Sequence, residues 1–464
     1  MAANASFHAR LFQYLPLLET GLLIGSVYLA VFIRLGGDAD LVAYGVGPVW
    51  PEAALFAGVL LLCLTATGLY NRRLRDTFEG VIVRIFLSFL FGTMVLTLLY
   101  YVFAGVLLGR GILALALLTS FAGMVAIRAL LFRLLSIEGA LRRVLVLGAG
   151  RRAFSLTRLR RRTDLIGMRI VGFVPIAGDE AAVPEERRLV LDGDVATWGV
   201  NHRIHEVVVG PDERRGTVDM NQLLECRARG LMVSELQQFF ERETGRVNLE
   251  NLLPSWLAFS TGTTSTFIGD RLKRLFDIVV SLVLLIVASP LIAIAALAVW
   301  IQGRGRVPVL YRQVRVGENG RSFDVLKFRS MRPDAEQAGR AQWATRNDPR
   351  VTAIGAILRR YRIDELPQIY NVLRGEMSFV GPRPERPEFV TRLEQVVPHY
   401  ADRHRVKPGL TGWAQIYYPY GASEEDAYQK LQYDLYYVKH RSLYLDLTIL
   451  LQTAEVVIWG RGAR

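Results

Sequence analysis

Two adjacent carboxylates, Asp364 and Glu365, stand in the stretch Arg359-Arg360-Tyr361-Arg362-Ile363-Asp364-Glu365-Leu366-Pro367-Gln368. Acid groups set among arginines suggest a centre where negative charge is held and used. Such a pair can hold Mg2+ against a diphosphate and attack phosphorus, because Mg2+ takes one or two carboxylates and completes its shell with substrate phosphates and water. The alternative is structural. Leu366, Ile369, Tyr370 and Leu373 follow helical spacing, Pro367 is tolerated in a first turn, and Gly375 can end the helix. Asp364 can then be an N-cap worth about 1 kcal/mol. Both readings stand on local grounds.

Cations and stiff loops lie on either side of this pair. Lys327 and Arg329, in Lys327-Phe328-Arg329-Ser330-Met331, share one face of a strand. They can clamp a diphosphate or form a solvated basic edge. In Ser378-Phe379-Val380-Gly381-Pro382-Arg383-Pro384, Gly381 lets a backbone approach an anion and Arg383 offers a planar fork to phosphate. Pro382 and Pro384 stiffen the loop, which alternatively serves packing alone. A second stiff loop, Lys407-Pro408-Gly409-Leu410-Thr411-Gly412-Trp413-Ala414-Gln415, carries a cation and an aromatic that can hold a nucleotide base or simply pack.

The elements that must position these groups are legible around them. Runs 309–316 and Ser322–Phe328 are strand-like and flank Glu318-Asn319-Gly320, a strong tight-turn signal. Before them lies the apolar run 278–301, long enough as one helix to reach about 36 Å and cross a bilayer. Ser289-Pro290 interrupts its middle, and proline in a helix interior costs about 3 kcal/mol. Broken there, each arm is too short to cross. Arg271, Lys273 and Arg274 precede the run, and Arg304, Arg306, Arg312 and Arg315 follow it, so both ends read as cytoplasmic. This favours a re-entrant hairpin over a kinked span. Leu443–Trp459 is apolar, but Asp446, Gln452 and Glu455 argue for an interfacial or core helix.

The first third carries apolar runs at 12–33, 49–70, 85–108 and 111–132, each of spanning length. Arginines after the second and fourth runs place both ends of this bundle in the cytoplasm. Glu19 is the ionisable residue noted within a run, and an anchor is expected rather than a transport path. Residues 143–240 then read as a Rossmann-like unit. A strand at 143–147 enters the GxGxxA turn Gly148–Ala153, with further strands at 170–174 and Glu206–Val209. An NAD site also wants an acid ending the second strand, where this chain has Val174-Pro175, so a structural or regulatory domain is expected. The net charge of +13 suits an anionic membrane or substrate, and the apolar runs argue against nucleic acid. Two cysteines without metal-ligand spacing and six histidines without HExxH exclude a disulfide framework and argue against zinc.

Taken together and in order, Lys273-Arg274-x-x-Asp277, Ser289-Pro290, the KFRSM strand, Asp364-Glu365, the FVGPRP loop and the PGLTGWAQ loop resemble the bacterial sugar transferase family, the monotopic phosphoglycosyl transferases. The front half resembles its large exopolysaccharide-initiating members. Residues 251–257, NLLPSWL, resemble the exosortase-associated subgroup. The resemblance implies a re-entrant helix (about 272–302) broken at Ser289-Pro290, a catalytic dyad at Asp364 and Glu365, and Mg2+ held there. It also implies basic residues at Lys327, Arg329, Arg359 and Arg383. With the loop residues Gly381, Pro382, Lys407, Thr411 and Trp413, these are the expected substrate contacts.

The implied reaction moves a sugar-1-phosphate from a UDP-sugar to undecaprenyl phosphate and releases UMP. Downstream glycosyltransferases would follow, and a homodimer stays open. The expected fold class is a mixed α and α/β membrane protein of the bacterial inner membrane, with its soluble domains cytoplasmic. Its parts are a four-helix transmembrane bundle (1–135), a Rossmann-like domain (136–244), a linker (245–268) and a mostly helical catalytic domain with a small β-hairpin (269–464). Two other classes are a membrane-anchored nucleotide-sugar dehydratase and a non-catalytic export scaffold. The first needs a Tyr-x-x-x-Lys pair that the chain lacks, and the second leaves the C-terminal motifs unused.

Overall fold

The computed structural model describes residues 3–35, 49–67, 69–70, 78–102, 108–135, 141–159, 168–213, 217–252, 267–332, 335, 348–418, 421 and 423–459. The chain forms two compact units, residues 1–244 and 245–464.

The first unit opens with helices α1 (Ala3–Leu35), α2 (Trp50–Ala66), α3 (Phe78–Val102) and α4 (Arg110–Leu135). Leu23, Val27, Phe56, Leu60, Ile85, Leu96 and Met124 form their common core. Segments Tyr14–Leu35, Gly80–Val102 and Arg110–Leu131 are long and apolar enough to cross a membrane. The second helix is shorter than the run at 49–70 suggests. It has 17 residues, about 25 Å. The third starts at Phe78 rather than at residue 85, because helical hydrogen bonding continues through Glu79 and Arg84. Arg84 is buried and donates from Nη1 to the Thr67 carbonyl at 2.9 Å. Glu19 is fully buried, but it is not alone: Arg128 Nη2 lies 2.8 Å from its Oε1, and the Tyr70 hydroxyl donates to it.

An α/β layer follows. Strands β1 (Arg142–Leu147), β2 (Met168–Val174), β3 (Glu206–Val209) and β4 (Met232–Glu235) form a parallel sheet in the order β2-β1-β3-β4. Alternate residues of β1 serve opposite layers, as strand geometry requires. Val144 and Val146 pack with Ala153, Leu156, Phe239 and Phe240 from helices α5 (Arg151–Thr157) and α8 (Leu236–Thr244). Leu145 and Leu147 pack with Val195, Ala196, Leu223 and Cys226 from α6 (Val195–Asn201) and α7 (Met220–Ala228). The strand β4 was not anticipated from sequence, since Met232–Glu235 is short and ends in polar residues.

The GxGxxA turn sits where a dinucleotide's phosphates would lie, but the protein's own carboxylates take its amides. Asp212 accepts from Arg151 N and Arg152 N, each at 2.9 Å. Asp179 accepts from Ala149 N at 2.7 Å. A Cβ at Gly150 would lie 2.0 Å from an Asp212 oxygen.

The second unit starts at Gly245, and the first residues read as linker are not free. Val247 is fully buried and its N–H donates to Gln432 O at 3.0 Å, and the Trp413 indole donates to Gly245 O at 2.6 Å. These partners lie far along the chain, so no local pattern announces them. The long helix α9 (Phe267–Gln302) runs continuously through Ser289 and Pro290. A hairpin follows, β5 (Leu310–Val316) and β6 (Ser322–Phe328), turning on Asn319 and Gly320, both at positive φ as this turn demands. Then come α10 (Ala353–Arg360), a 3-10 turn (Ile363–Gln368), α11 (Ile369–Arg374), β7 (Ser378–Val380) and α12 (Pro387–Val396). β8 (Gly409–Thr411), α13 (Trp413–Tyr417), α14 (Glu424–His440) and α15 (Leu443–Trp459) complete the unit. β7 and β8 pair in parallel, a second small sheet beyond the expected hairpin. The helix α15 packs into the unit, with Asp446, Thr448 and Ile449 fully buried.

Two outcomes follow for the front domain. NAD should give no heat in calorimetry at micromolar concentrations, and micromolar affinity would overturn this reading of the turn. Asp212→Ala should lower the stability of the domain by about 1 kcal/mol, the usual loss on removing a cap.

Candidate active site

Asp364 and Glu365 lie inside the 3-10 turn rather than before it. The N-cap position is Arg362, in left-handed conformation with φ 58° and ψ 19°, and no side chain caps the turn. Asp364 is therefore not the cap that local spacing allowed. Both carboxylates are buried.

Three elements bring cations to Glu365. Arg383, from the loop after β7, places Nη2 2.8 Å from Glu365 Oε1. Arg362 Nη1 lies at 3.2 Å and Lys327 Nζ, from β6, at 3.4 Å. Asp364 Oδ1, by contrast, is buried and has no hydrogen-bond partner among the described residues. The two acids are thus driven apart. Burial alone would raise the Glu365 carboxyl, but Arg383, Lys327 and Arg362 outweigh it and hold the group well below the usual range. Burial raises Asp364, and the neighbouring Glu365 charge adds to it, against a weaker pull from Lys327, Arg362 and Arg359. Burial also lowers the Lys327 ammonium despite Glu365. Adjacent acids with opposed environments divide their tasks. Glu365 is a fixed anion that organises cations. Asp364 is the less stabilised, more basic carboxylate, the one suited to bind a cation or attack an electrophile.

The supporting contacts explain how the turn is held. Asn371, buried in α11, donates from Nδ2 to Asp324 O at 2.7 Å and accepts from Leu326 N at 3.1 Å, fastening the turn to β6. Arg274 of α9 donates to the Val372 and Leu373 carbonyls, capping the C-terminus of α11. Asp277 accepts from Ser378 Oγ at 3.0 Å and Phe379 N at 3.2 Å, at the start of the loop that bears Arg383. Lys273 pairs with Asp446 at 2.7 Å. Arg403 donates from Nη2 to the Arg383 carbonyl at 2.9 Å, and Asp434 lies 2.8 Å from the same nitrogen. Arg315 donates to Pro384 O at 3.1 Å.

The remaining sequence candidates fall into distinct places. Arg359 acts on Asp364 through its charge. Arg329 stands over the Tyr311 ring, 5.9 Å from its centroid. Gly381 is required by loop packing: its N–H donates to Thr411 O at 2.9 Å, and a Cβ there would lie 2.3 Å from Lys407 O. Pro382 O accepts from Gly409 N at 2.9 Å, so the two motif loops are zipped together. Thr411 Oγ1 meets Thr453 Oγ1 at 2.7 Å. Trp413 is buried, stacked on Tyr436 with centroids 5.8 Å apart. Lys407 is half-buried in its loop. Sequence reasoning missed Arg362, Asn371, Arg403 and Asp434. Asn371 gives one retrospective signal, a polar residue within an apolar helical pattern.

The donor set fits Mg2+. Asp364 offers an orphaned buried oxygen with Glu365 beside it, and no group of three or more metal-ligating side chains occurs among the described residues. Such a site completes its shell only with phosphates and water.

The opposed shifts have opposite consequences for stability. A carboxyl held above its unfolded value costs stability once pH exceeds about 3.9, so Asp364→Asn should leave the protein as stable or more so at pH 7. A carboxyl held below it contributes stability that is full above about 4.3 and lost as pH falls. Glu365→Gln should therefore destabilise at pH 7, by about 3 kcal/mol given the cations left unpaired. Thermal unfolding of the full chain in detergent checks both, and equal destabilisation would refute the division of roles.

Comparison with known proteins places this geometry. The model of the family described as bacterial sugar transferase matches residues 268–460. The chain is similar to the UDP-N-acetylgalactosamine-undecaprenyl-phosphate N-acetylgalactosaminephosphotransferase of Aeromonas hydrophila, with 39% identity over 52% of this chain and 56% of that protein. It is similar to the undecaprenyl-phosphate glucose phosphotransferase of Komagataeibacter xylinus, with 46% identity over 41% of this chain and 36% of that one. The UDP-glucose:undecaprenyl-phosphate glucose-1-phosphate transferase of Xanthomonas campestris pv. campestris is 33% identical over 69% of this chain and 67% of its own length. The chain thus spans about half of the first of these relatives and about a third of the second. The third match runs well beyond residues 268–460, and with the motifs and their assembly around Asp364 it shows that the chain belongs to the bacterial sugar transferase family.

Proposed function

We propose that this protein transfers a sugar-1-phosphate from a UDP-sugar to undecaprenyl phosphate, releasing UMP and leaving undecaprenyl-diphosphate-sugar, the first membrane step of exopolysaccharide biosynthesis. The observation that carries this reading is the unpartnered Asp364 oxygen beside a Glu365 carboxylate that gathers Lys327, Arg362 and Arg383. The excess of cations suits a diphosphate, and the free carboxylate suits attack on phosphorus.

In the mechanism, an Asp364 oxygen attacks the sugar-linked phosphorus, and the bond from that phosphorus to the bridging oxygen breaks. UMP leaves with the electron pair, and the sugar phosphate stays on Asp364 as an acyl phosphate. An oxygen of the lipid phosphate then attacks the same phosphorus and displaces the Asp364 carboxylate. The covalent stage separates a water-soluble donor from a membrane-bound acceptor. Arg383 and Lys327 neutralise the diphosphate, with Glu365 holding both in place. Mg2+ would be held by Asp364 with Glu365 beside it and, when bound, would offset the charge of the phosphates and of the leaving UMP.

The helix α9 supports a re-entrant placement in the inner membrane with the soluble units cytoplasmic. Both arms pack on the same unit: Arg274 and Asp277 on α11 and β7, and Ala295 and Val299 with Phe328 and Leu358. Between them Val283, Ile286 and Val287 are exposed. A straight crossing would carry one arm away from the unit. The stretch 251–257 supports the exosortase-associated subgroup; residues 253–257 lie outside the described residues. The product would pass to downstream glycosyltransferases.

Enzyme, Mg2+ and labelled UDP-sugar without acceptor should yield UMP and acid-labile label on the protein, and Asp364→Asn should abolish both. Active enzyme that never becomes labelled would sink the covalent route. A panel of UDP-glucose, UDP-galactose and UDP-N-acetylgalactosamine identifies the sugar. For topology, cysteines placed near Lys273 and near Arg306 should both resist an impermeant periplasmic thiol reagent, whereas labelling of the second alone would show a crossing.

A further inference from the structure

Arg362 differs from the other two cations on Glu365 in backbone, exposure and necessity. Its φ of 58° is a left-handed conformation that strains a residue with a Cβ, and such residues persist where geometry over-determines them. The strain sets the turn between α10 and the dyad. Its side chain is 58% exposed, against 37% for Arg383 and 19% for Lys327. Necessity follows from hydrogen-bond capacity. All three cations address the same oxygen, Glu365 Oε1, which offers two lone pairs. Arg383 makes the shortest contact, at 2.8 Å, and Lys327 is buried enough that losing its anion would be costly. The Arg362 contact is the surplus one, and its guanidinium can turn into water without leaving a buried charge behind. Two residues along the chain lies Asp364, whose Oδ1 awaits a partner.

We propose that Arg362 is the arginine that receives the diphosphate of the nucleotide sugar, leaving Glu365 as the donor enters and forking onto non-bridging phosphate oxygens. It thereby brings the phosphorus to Asp364 and shields Glu365 when the site is empty. The inference rests on the transferase reading and adds to it a donor-binding residue that the family motifs do not single out. The guanidinium suits the task, because its planar fork matches two phosphate oxygens at once.

The test uses the full-length protein in nanodiscs with UDP-sugar, polyprenyl phosphate and Mg2+. Glycine and asparagine both accept the left-handed backbone, so Arg362→Gly and Arg362→Asn remove the side chain without disturbing the turn. Each should raise KM for the UDP-sugar about tenfold or more while kcat stays within about threefold, the scale of one charge-assisted phosphate contact. UDP binding measured by calorimetry should weaken by a similar factor, and Arg362→Lys should restore part of it. Unchanged KM and unchanged UDP affinity in a folded glycine or asparagine variant would overturn the proposal. So would a fall in kcat with KM intact, which would show that Arg362 only balances Glu365. A wild-type protein that neither binds UDP nor releases UMP would instead refute the transferase reading, so the two failures are distinguishable.

Discussion

Glu365 is the anion on which the site is built. Its buried carboxylate ties together β6 through Lys327, the turn through Arg362 and the loop after β7 through Arg383. Among the described residues none of these cations has a second ion pair, and cations brought together out of water repel one another unless an anion lies between them. The same arrangement explains why its neighbour is different. With the cations engaged by Glu365, Asp364 keeps a buried oxygen without a donor among the described residues. One carboxylate satisfies the structure and leaves the other unsatisfied, a condition that folding alone would not favour and that chemistry can use.

The second constraint is the root of the long helix. Lys273, Arg274 and Asp277 follow helical spacing, and each engages a different element: α15, α11 and the strand that leads to the Arg383 loop. The basic residues that flank an apolar segment are commonly ascribed to lipid headgroups. Here Arg274 and Lys273 serve the protein interior as well, which ties the root of the helix to the turn that bears Asp364 and Glu365.

The front unit uses its polar groups in a parallel way. Asp212 and Asp179 occupy amides that in a nucleotide-binding turn would face phosphate. Gly150 is explained by the close approach of the Asp212 carboxylate, and Gly148 by its positive φ and the close approach of the Gly210 backbone. A glycine motif therefore reports a tight approach to the backbone, and only the tertiary structure says what approaches.

The sequence by itself determined the class of chemistry and the kinds of elements. Hydropathy over 278–301 located the long apolar helix, period-two alternation and Asn319-Gly320 located the hairpin, and the carboxylates among arginines located the turn on which the cations converge. These signals are local: each depends on residues in one short stretch of chain, so composition and spacing carry them. The tertiary structure decided the partners. That Glu365 and not Asp364 takes the cations, that Arg362 enters the turn in a left-handed conformation, and that Gly381 and Trp413 serve packing depend on groups brought together from distant parts of the chain. Asn371, Arg403 and Asp434 were invisible for the same reason, since a buried hydrogen bond leaves no period in the sequence. The hydrophobic pattern fixes which faces turn inward, whereas the pairing of polar groups is chosen only when those faces meet.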